Sequence, residues 1–194
     1  MKLNLPNKLT VLRLCLIPFF MCVILFVPDG LIMRLVAAAL FGITAITDMF
    51  DGKIARKYNL VTDFGKFLDP VADKIMVIGA CLALLTTVKD EKTLFYLLVC
   101  ATFVVVLREI AVTSLRMIAS SKVVIAANMA GKIKTVSQIV FILCMLLEPI
   151  FFGWCFIGEY KILTYASLIF MTFMTVLSGV NYLKGYWKFL DPQK

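Results

Sequence analysis

Asp48-Met49-Phe50-Asp51-Gly52-Lys53-Ile54-Ala55-Arg56, followed after eight residues by Gly65-Lys66-Phe67-Leu68-Asp69-Pro70-Val71-Ala72-Asp73, is the stretch whose reading decides the fold. It sets four aspartates in or beside long apolar runs. Asp48 and Asp51 are spaced i, i+3, and Asp69 and Asp73 are spaced i, i+4, so each pair shares one face of a helix. An aspartate at the centre of a membrane helix costs about 2.5–3.5 kcal/mol on insertion scales. Four that face one another cost more, because like charges repel, so a cation belongs among them. Ligands that are all oxygen favour a hard divalent ion, Mg²⁺ or Mn²⁺, and two such ions balance four carboxylates in formal charge.

The rest of the chain explains why the runs are apolar. Of 194 residues, 62% are hydrophobic, and the mean hydropathy is +0.97. A soluble domain is nearer half apolar. The composition implies an all-α membrane protein, one integral-membrane unit over residues 1–194. The expected spans are roughly 9–27, 31–57, 67–88, 94–119, 131–152 and 162–182, six in all, preceded by a short interfacial segment at residues 1–7. The basic start and apolar run of the first span look like a signal peptide, but no small-residue cleavage site follows, so it is expected to stay. Asn7 or Thr10 is expected to cap that first helix, and Pro70 to fall in the first turn of the third. Asp48 lies about 26 Å along its helix from Leu31. That sets the aspartates near one edge of a hydrocarbon core about 30 Å thick.

A formal charge of +8 raises the question of nucleic acid. The charges flank apolar runs and form no single patch, so positive-inside topology and anionic lipid are the expected partners, and nucleic acid is not. An even number of spans puts both termini on one side. That side carries every lysine and arginine except Arg34, Lys89, Lys92 and Lys161, so the termini and the aspartates are expected to face the cytoplasm. There is no histidine. This excludes a histidine base and histidine-ligated zinc, and leaves Asp, Glu, Lys, Tyr or Cys for proton transfer. The cysteines lie scattered in apolar segments without C-x-x-C spacing and read as buried hydrophobes.

Around the aspartates, Gly52 removes a side chain beside Asp51, Ala55 keeps the same face shallow, and Arg56 offers a planar fork for phosphate oxygens. Metal ions, a small-residue floor and an arginine describe a diphosphate site. A two-metal centre favours in-line displacement at phosphorus, and a lipid can enter such a site sideways from the bilayer. A divalent-cation transporter is the competing class, because intramembrane carboxylates also mark ion paths. It would require acids on other spans or a broken helix near mid-membrane.

With Asp48, Asp51, Gly52, Ala55, Arg56, Gly65, Asp69 and Asp73 all at the required spacings, the stretch resembles the signature of the CDP-alcohol phosphotransferases. The six-span layout resembles their fold. The resemblance implies that Asp48, Asp51, Asp69 and Asp73 hold two Mg²⁺ ions. It implies that Gly52, Ala55, Arg56 and Gly65 contact the CDP, that Asp73 also acts as base, and that CMP leaves. Three further stretches, Leu5 to Arg13, Arg108 to Arg116 and Gly131 to Gln138, look like the branch that joins CDP-diacylglycerol to glycerol 3-phosphate in the bacterial cytoplasmic membrane. Members transferring to phosphatidylglycerol or to inositol phosphate are the alternatives. The resemblance also sets Asn7 and Thr10 near the cytidine and implies a homodimer. An anionic acceptor is consistent with the charges: Arg108, Val112 and Arg116 step along one helical face, and Lys132 and Lys134 begin the next helix. These four basic residues are the expected acceptor-phosphate pocket. Glu109 offers Arg108 an alternative partner.

Overall fold

The computed structural model describes residues 4–57, 62–120, 129–153, 158 and 160–186; within these, the side chains of residues 5, 6, 49–57, 63, 64, 66 and 118–120 fall outside the description. The described chain is helical, without strand. Helix α1 spans Leu5–Phe26, α2 Leu31–Lys57 and α3 Asp63–Leu84, the last continued by a 3₁₀ turn at Leu85–Val88. Then come α4 at Lys92–Ser120, α5 at Met129–Phe151 and α6 at Ile162–Tyr186. Each contains a stretch long and apolar enough to cross a membrane, from Asn7–Phe26 in α1 to Ile162–Tyr186 in α6. The protein is a multi-pass membrane protein.

Helix α1 packs against α2 and α3, α5 against α6 and α2, and α4 against α6. Lipid tails are as apolar as a protein core, so helices in a membrane associate through close packing rather than through the hydrophobic effect. The buried surface is built accordingly. Ala37, Ala72, Ala80, Ala83 and Ala101 are buried between helices. At Gly79 a Cβ would sit 3.2 Å from Met21 Sδ and 3.3 Å from Ile17 Cγ2, so α3 meets α1 closely at that point. Larger side chains fill the remaining space, with Phe20 of α1 against Phe41 of α2 at 5.7 Å between centroids, and Phe141 and Leu146 fully buried. Phe19, Ile32, Phe103, Ile110, Ile169 and Phe173 point outward, where the bilayer is their solvent.

Several helix ends differ from expectation, for local reasons. The amphipathic start belongs partly to α1 itself, because Pro6 sits in its first turn, where its missing N–H is harmless. The N-cap is Asn4, so neither Asn7 nor Thr10 caps α1; both lie within the helix and turn toward α3. Helix α3 begins before Phe67 because Thr62 caps it, accepting a bond from Gly65 N at 3.0 Å. Pro70 consequently lies two turns inside α3 rather than in its first turn.

Candidate active site

Helices α1, α2 and α3 bring the aspartate segments together. Asp48 and Asp51 lie one turn apart in α2, and Asp69 and Asp73 one turn apart in α3. Arg13 of α1, read from the sequence as a topological charge and as the end of the Leu5–Arg13 stretch, is fully buried between Asp48 and Asp73. Its Nη1 forms an ion pair with Asp48 Oδ1 and donates to Asp73 Oδ1 at 2.9 Å. Thr10, one turn before Arg13, donates to Asp69 Oδ1 at 2.7 Å. Asn7, one turn earlier again, exchanges hydrogen bonds with Thr62 at 2.9 and 3.1 Å. Residues 7, 10 and 13 form one buried polar stripe on a largely apolar helix, and the stripe faces α2 and α3. A stripe at i, i+3, i+6 was available in the sequence as a signal that α1 faces the acidic segments.

Gly65 is where this arrangement is tightest. A Cβ there would lie 2.9 Å from Asn7 Oδ1 and 3.3 Å from Thr62 Oγ1. Its bare backbone therefore lets α1 approach the start of α3. Asp51, Gly52, Ala55 and Arg56 lie on the helical backbone of α2, but their side chains are outside the described residues, as are those of Lys53, Lys57, Asp63 and Lys66.

The basic residues assemble from α4 and α5. Arg108 Nη1 donates to Glu109 Oε1 at 3.1 Å and its Nη2 to Ser178 Oγ at 2.8 Å. Lys134 pairs with the same Glu109 oxygen. Arg116 donates to the Tyr182 hydroxyl at 2.6 Å. The Tyr182 ring lies under both arginines, 5.5 Å from the Arg108 guanidinium carbon and 5.0 Å from that of Arg116. Gly131 lies beside Tyr182, and Gly179 leaves room for the Arg108 side chain.

These groups face a common cavity of about 450 Å³. Asp48, Asp73 and Lys74 line it from α2 and α3; Arg108, Glu109, Arg116, Lys132, Lys134 and Tyr182 line it from α4, α5 and α6. Ala45, Met76, Val77, Val112 and Ile139 give it apolar walls. Both arginines and both lysines of the expected acceptor pocket thus border one space with two of the four aspartates. Arg108 and Lys134 are buried, whereas Arg116 and Lys132 are exposed. Glu109 offsets one of the four charges of Arg108, Arg116, Lys132 and Lys134, leaving a surplus of three, enough to balance the charge of about −1.5 to −2 on a phosphate monoester.

Asp48 and Asp73 reach one guanidinium nitrogen of Arg13 from different helices, so their carboxylates converge on one positive charge, and among the described residues no three acids gather as a metal-ligand group. The groups that meet there are oxygens, the donor type hard ions take. Part of the neutralising charge demanded by the crowded carboxylates is the protein's own, from Arg13.

The family model for CDP-alcohol phosphatidyltransferases matches residues 3–177. The chain belongs to this family. Among its relatives, the CDP-diacylglycerol–glycerol-3-phosphate 3-phosphatidyltransferase of Bacillus subtilis (strain 168) is 40% identical over 200 aligned residues, 96% of this chain and 97% of that protein. The enzyme of the same name from Rickettsia typhi (strain ATCC VR-144 / Wilmington) is 35% identical, over 94% of this chain and 96% of that protein. A probable phosphatidylglycerophosphate synthase of Mycobacterium tuberculosis (strain ATCC 25618 / H37Rv) is 36% identical, over 93% of this chain and 80% of that protein. The cavity has carboxylates on one wall and guanidinium and ammonium groups on the other.

Acids beyond the motif have structural work. Glu148, buried near the far end of α5, accepts from Leu163 N at 2.8 Å and from Thr164 N and Oγ1 at 2.6 Å each. It caps the first turn of α6.

Proposed function

We propose that the protein transfers the phosphatidyl group of CDP-diacylglycerol to glycerol 3-phosphate, forming phosphatidylglycerophosphate and CMP. One observation carries this reading: the Asp48–Asp73 wall and the Arg108–Arg116–Lys134 wall belong to the same cavity. A diphosphate lipid and an anionic acceptor need these two chemistries side by side.

Asp48, Asp51, Asp69 and Asp73 would hold two divalent cations, Mg²⁺ or Mn²⁺, which neutralise charge on the diphosphate when bound. Gly52, Ala55, Arg56 and Gly65 take the CDP side. Thr10 holds the Asp69 carboxylate by a hydrogen bond, and Arg13 holds Asp48 and Asp73 toward each other. Arg108, Arg116, Lys132 and Lys134 receive the acceptor phosphate and orient its free hydroxyl toward the aspartate wall. The hydroxyl oxygen forms a bond to the phosphorus next to diacylglycerol, and the bond from that phosphorus to the oxygen it shares with the CMP phosphate breaks, so CMP leaves with the electron pair. Asp73, whose side chain is 54% exposed, takes the hydroxyl proton. The basic end of the bundle faces the cytoplasm, where the water-soluble acceptor enters, while the lipid arrives from the bilayer.

Release of CMP by the purified protein in lipid micelles tests the reading. Asp48→Asn or Asp69→Asn should abolish Mg²⁺-dependent release while the protein still inserts. Normal turnover in both would remove the metal assignment. In an acceptor panel, a better rate with phosphatidylglycerol or inositol phosphate than with glycerol 3-phosphate would reassign the acceptor.

A further inference from the structure

Among the described residues, Gln138 is the one side chain of the cavity that is fully buried with its whole polar end unused. It lies on α5 one turn beyond Lys134 and lines the same space. Neither its Nε2 nor its Oε1 has a hydrogen-bond partner among the described residues. A buried amide left unpaired is costly, and folded proteins keep such groups where something else completes them. An amide offers one oxygen that accepts and one nitrogen that donates. A carbonyl or phosphate oxygen can use only the nitrogen. A hydroxyl uses both, donating to Oε1 and accepting from Nε2.

We propose that Gln138 binds the non-reacting hydroxyl of the acceptor and makes the enzyme selective for a polyol phosphate over a simple hydroxyalkyl phosphate. This rests on the function proposed above, which leaves one acceptor hydroxyl without an assigned partner. The reacting hydroxyl goes to Asp73, and the phosphate goes to Arg108, Arg116, Lys132 and Lys134. In glycerol 3-phosphate the remaining group is the hydroxyl on carbon 2, between the reacting end and the phosphate. Gln138 borders the cavity one turn along α5 from Lys134, beside the proposed acceptor site. A site built to pair a hydroxyl rejects an analogue lacking it far more strongly than an apolar pocket rejects a missing methylene, because the buried amide is then left unpaired.

The test compares sn-glycerol 3-phosphate with 1,3-propanediol monophosphate, which keeps the terminal hydroxyl and the phosphate and lacks only the hydroxyl on carbon 2. The full-length wild type and Gln138→Met, close in volume, are assayed for CMP release with CDP-diacylglycerol and saturating Mg²⁺. For glycerol 3-phosphate, kcat/KM should fall about 10–100-fold in the variant, the range expected when one buried hydrogen-bonding site is removed. For the propanediol ester it should stay within about twofold, so that discrimination collapses. The unfolding temperature without substrate should hold or rise, since the amide has no bond to lose. Equal losses on both acceptors, or no loss on either, overturn the proposal. So does a fall in unfolding temperature with discrimination intact, which would make the amide a structural group or a holder of buried water. If Gln138→Met does not accumulate, Gln138→Asn, with its amide one methylene short, carries the same ratio test. A wild type inactive on glycerol 3-phosphate would overturn the function itself; a wild type active on it with an unchanged ratio in the variant overturns only the role of Gln138.

Discussion

Arg13 of α1 donates from Nη1 to Asp73 Oδ1 of α3 at 2.9 Å, and the same nitrogen is paired with Asp48 of α2. Three helices thus meet on one buried guanidinium. The bond spans 60 positions of sequence and ties the helix that carries no motif residue to the two that carry all four aspartates.

Removing that cation should cost stability as well as activity. Asp48 and Asp73 keep 33% and 54% of their side chains exposed. The penalty for Arg13→Ala therefore falls below that of breaking a fully buried pair, at about 1–3 kcal/mol. In detergent without divalent ions the unfolding temperature should drop by several degrees, and saturating Mg²⁺ should restore part of it. An unchanged midpoint in both conditions would remove the structural role assigned to Arg13.

Tyr182 holds the arginine pair through its hydroxyl and its ring. Tyr182→Phe loses the bond to Arg116 and keeps the ring beneath both guanidiniums. The KM for glycerol 3-phosphate should rise about 3–10-fold with kcat within about twofold, one hydrogen bond's worth of positioning. Tyr182→Leu, which also removes the cation–π contacts, should go further. Steady-state kinetics at fixed CDP-diacylglycerol separates these outcomes; an unaltered KM in both variants would show that the phosphate does not depend on this pair.

Gly65→Ala adds a methyl 2.9 Å from Asn7 Oδ1. Either Asn7 leaves Thr62 or α1 backs away from α3, and overpacking of this kind costs about 1–3 kcal/mol. Thermal unfolding should record the loss, and CMP release should fall with it, since Thr10 and Arg13 ride on the same helix. A variant as stable and as active as the wild type would mean that α1 can shift freely, against the packing described.

Glu148→Ala supplies the opposite pattern. It removes the acceptor of three hydrogen bonds at the start of α6 and should lower stability by about 1–3 kcal/mol. Glu148 lies ten residues along α5 from Gln138, about 15 Å at helical rise. Turnover per folded molecule should therefore stay within about twofold. A selective loss of turnover at unchanged stability would place Glu148 in a working role instead.

The helices and the aspartate pairs were legible because each is a local pattern. Long apolar runs bounded by polar turns locate six helices, and i, i+3 and i, i+4 spacings put carboxylates on common faces whatever the helices pack against. The helix ends were less legible. Thr62 drew α3 earlier than the hydropathy implied, because a cap is one hydroxyl meeting one N–H and leaves no mark on an apolar average. Glu148 escaped notice for a related reason: a single acid in a long apolar stretch does not disclose that three donors wait for it on another helix.

By itself the sequence determined that this chain lies in a membrane, that four carboxylates stand in two helical pairs, and that basic residues follow at one end of later helices. These are consequences of composition and of periodicity along one helix. Only the tertiary structure decided that Arg13 stands between Asp48 and Asp73, that Thr10 holds Asp69, that Lys134 and Arg108 share Glu109, and that Gln138 lines their cavity with its amide unpaired among the described residues. Such contacts join side chains tens of residues apart, and they depend on the angle and closeness with which helices pack. Small residues such as Gly65 and Gly79 set that closeness, and hydropathy does not record it.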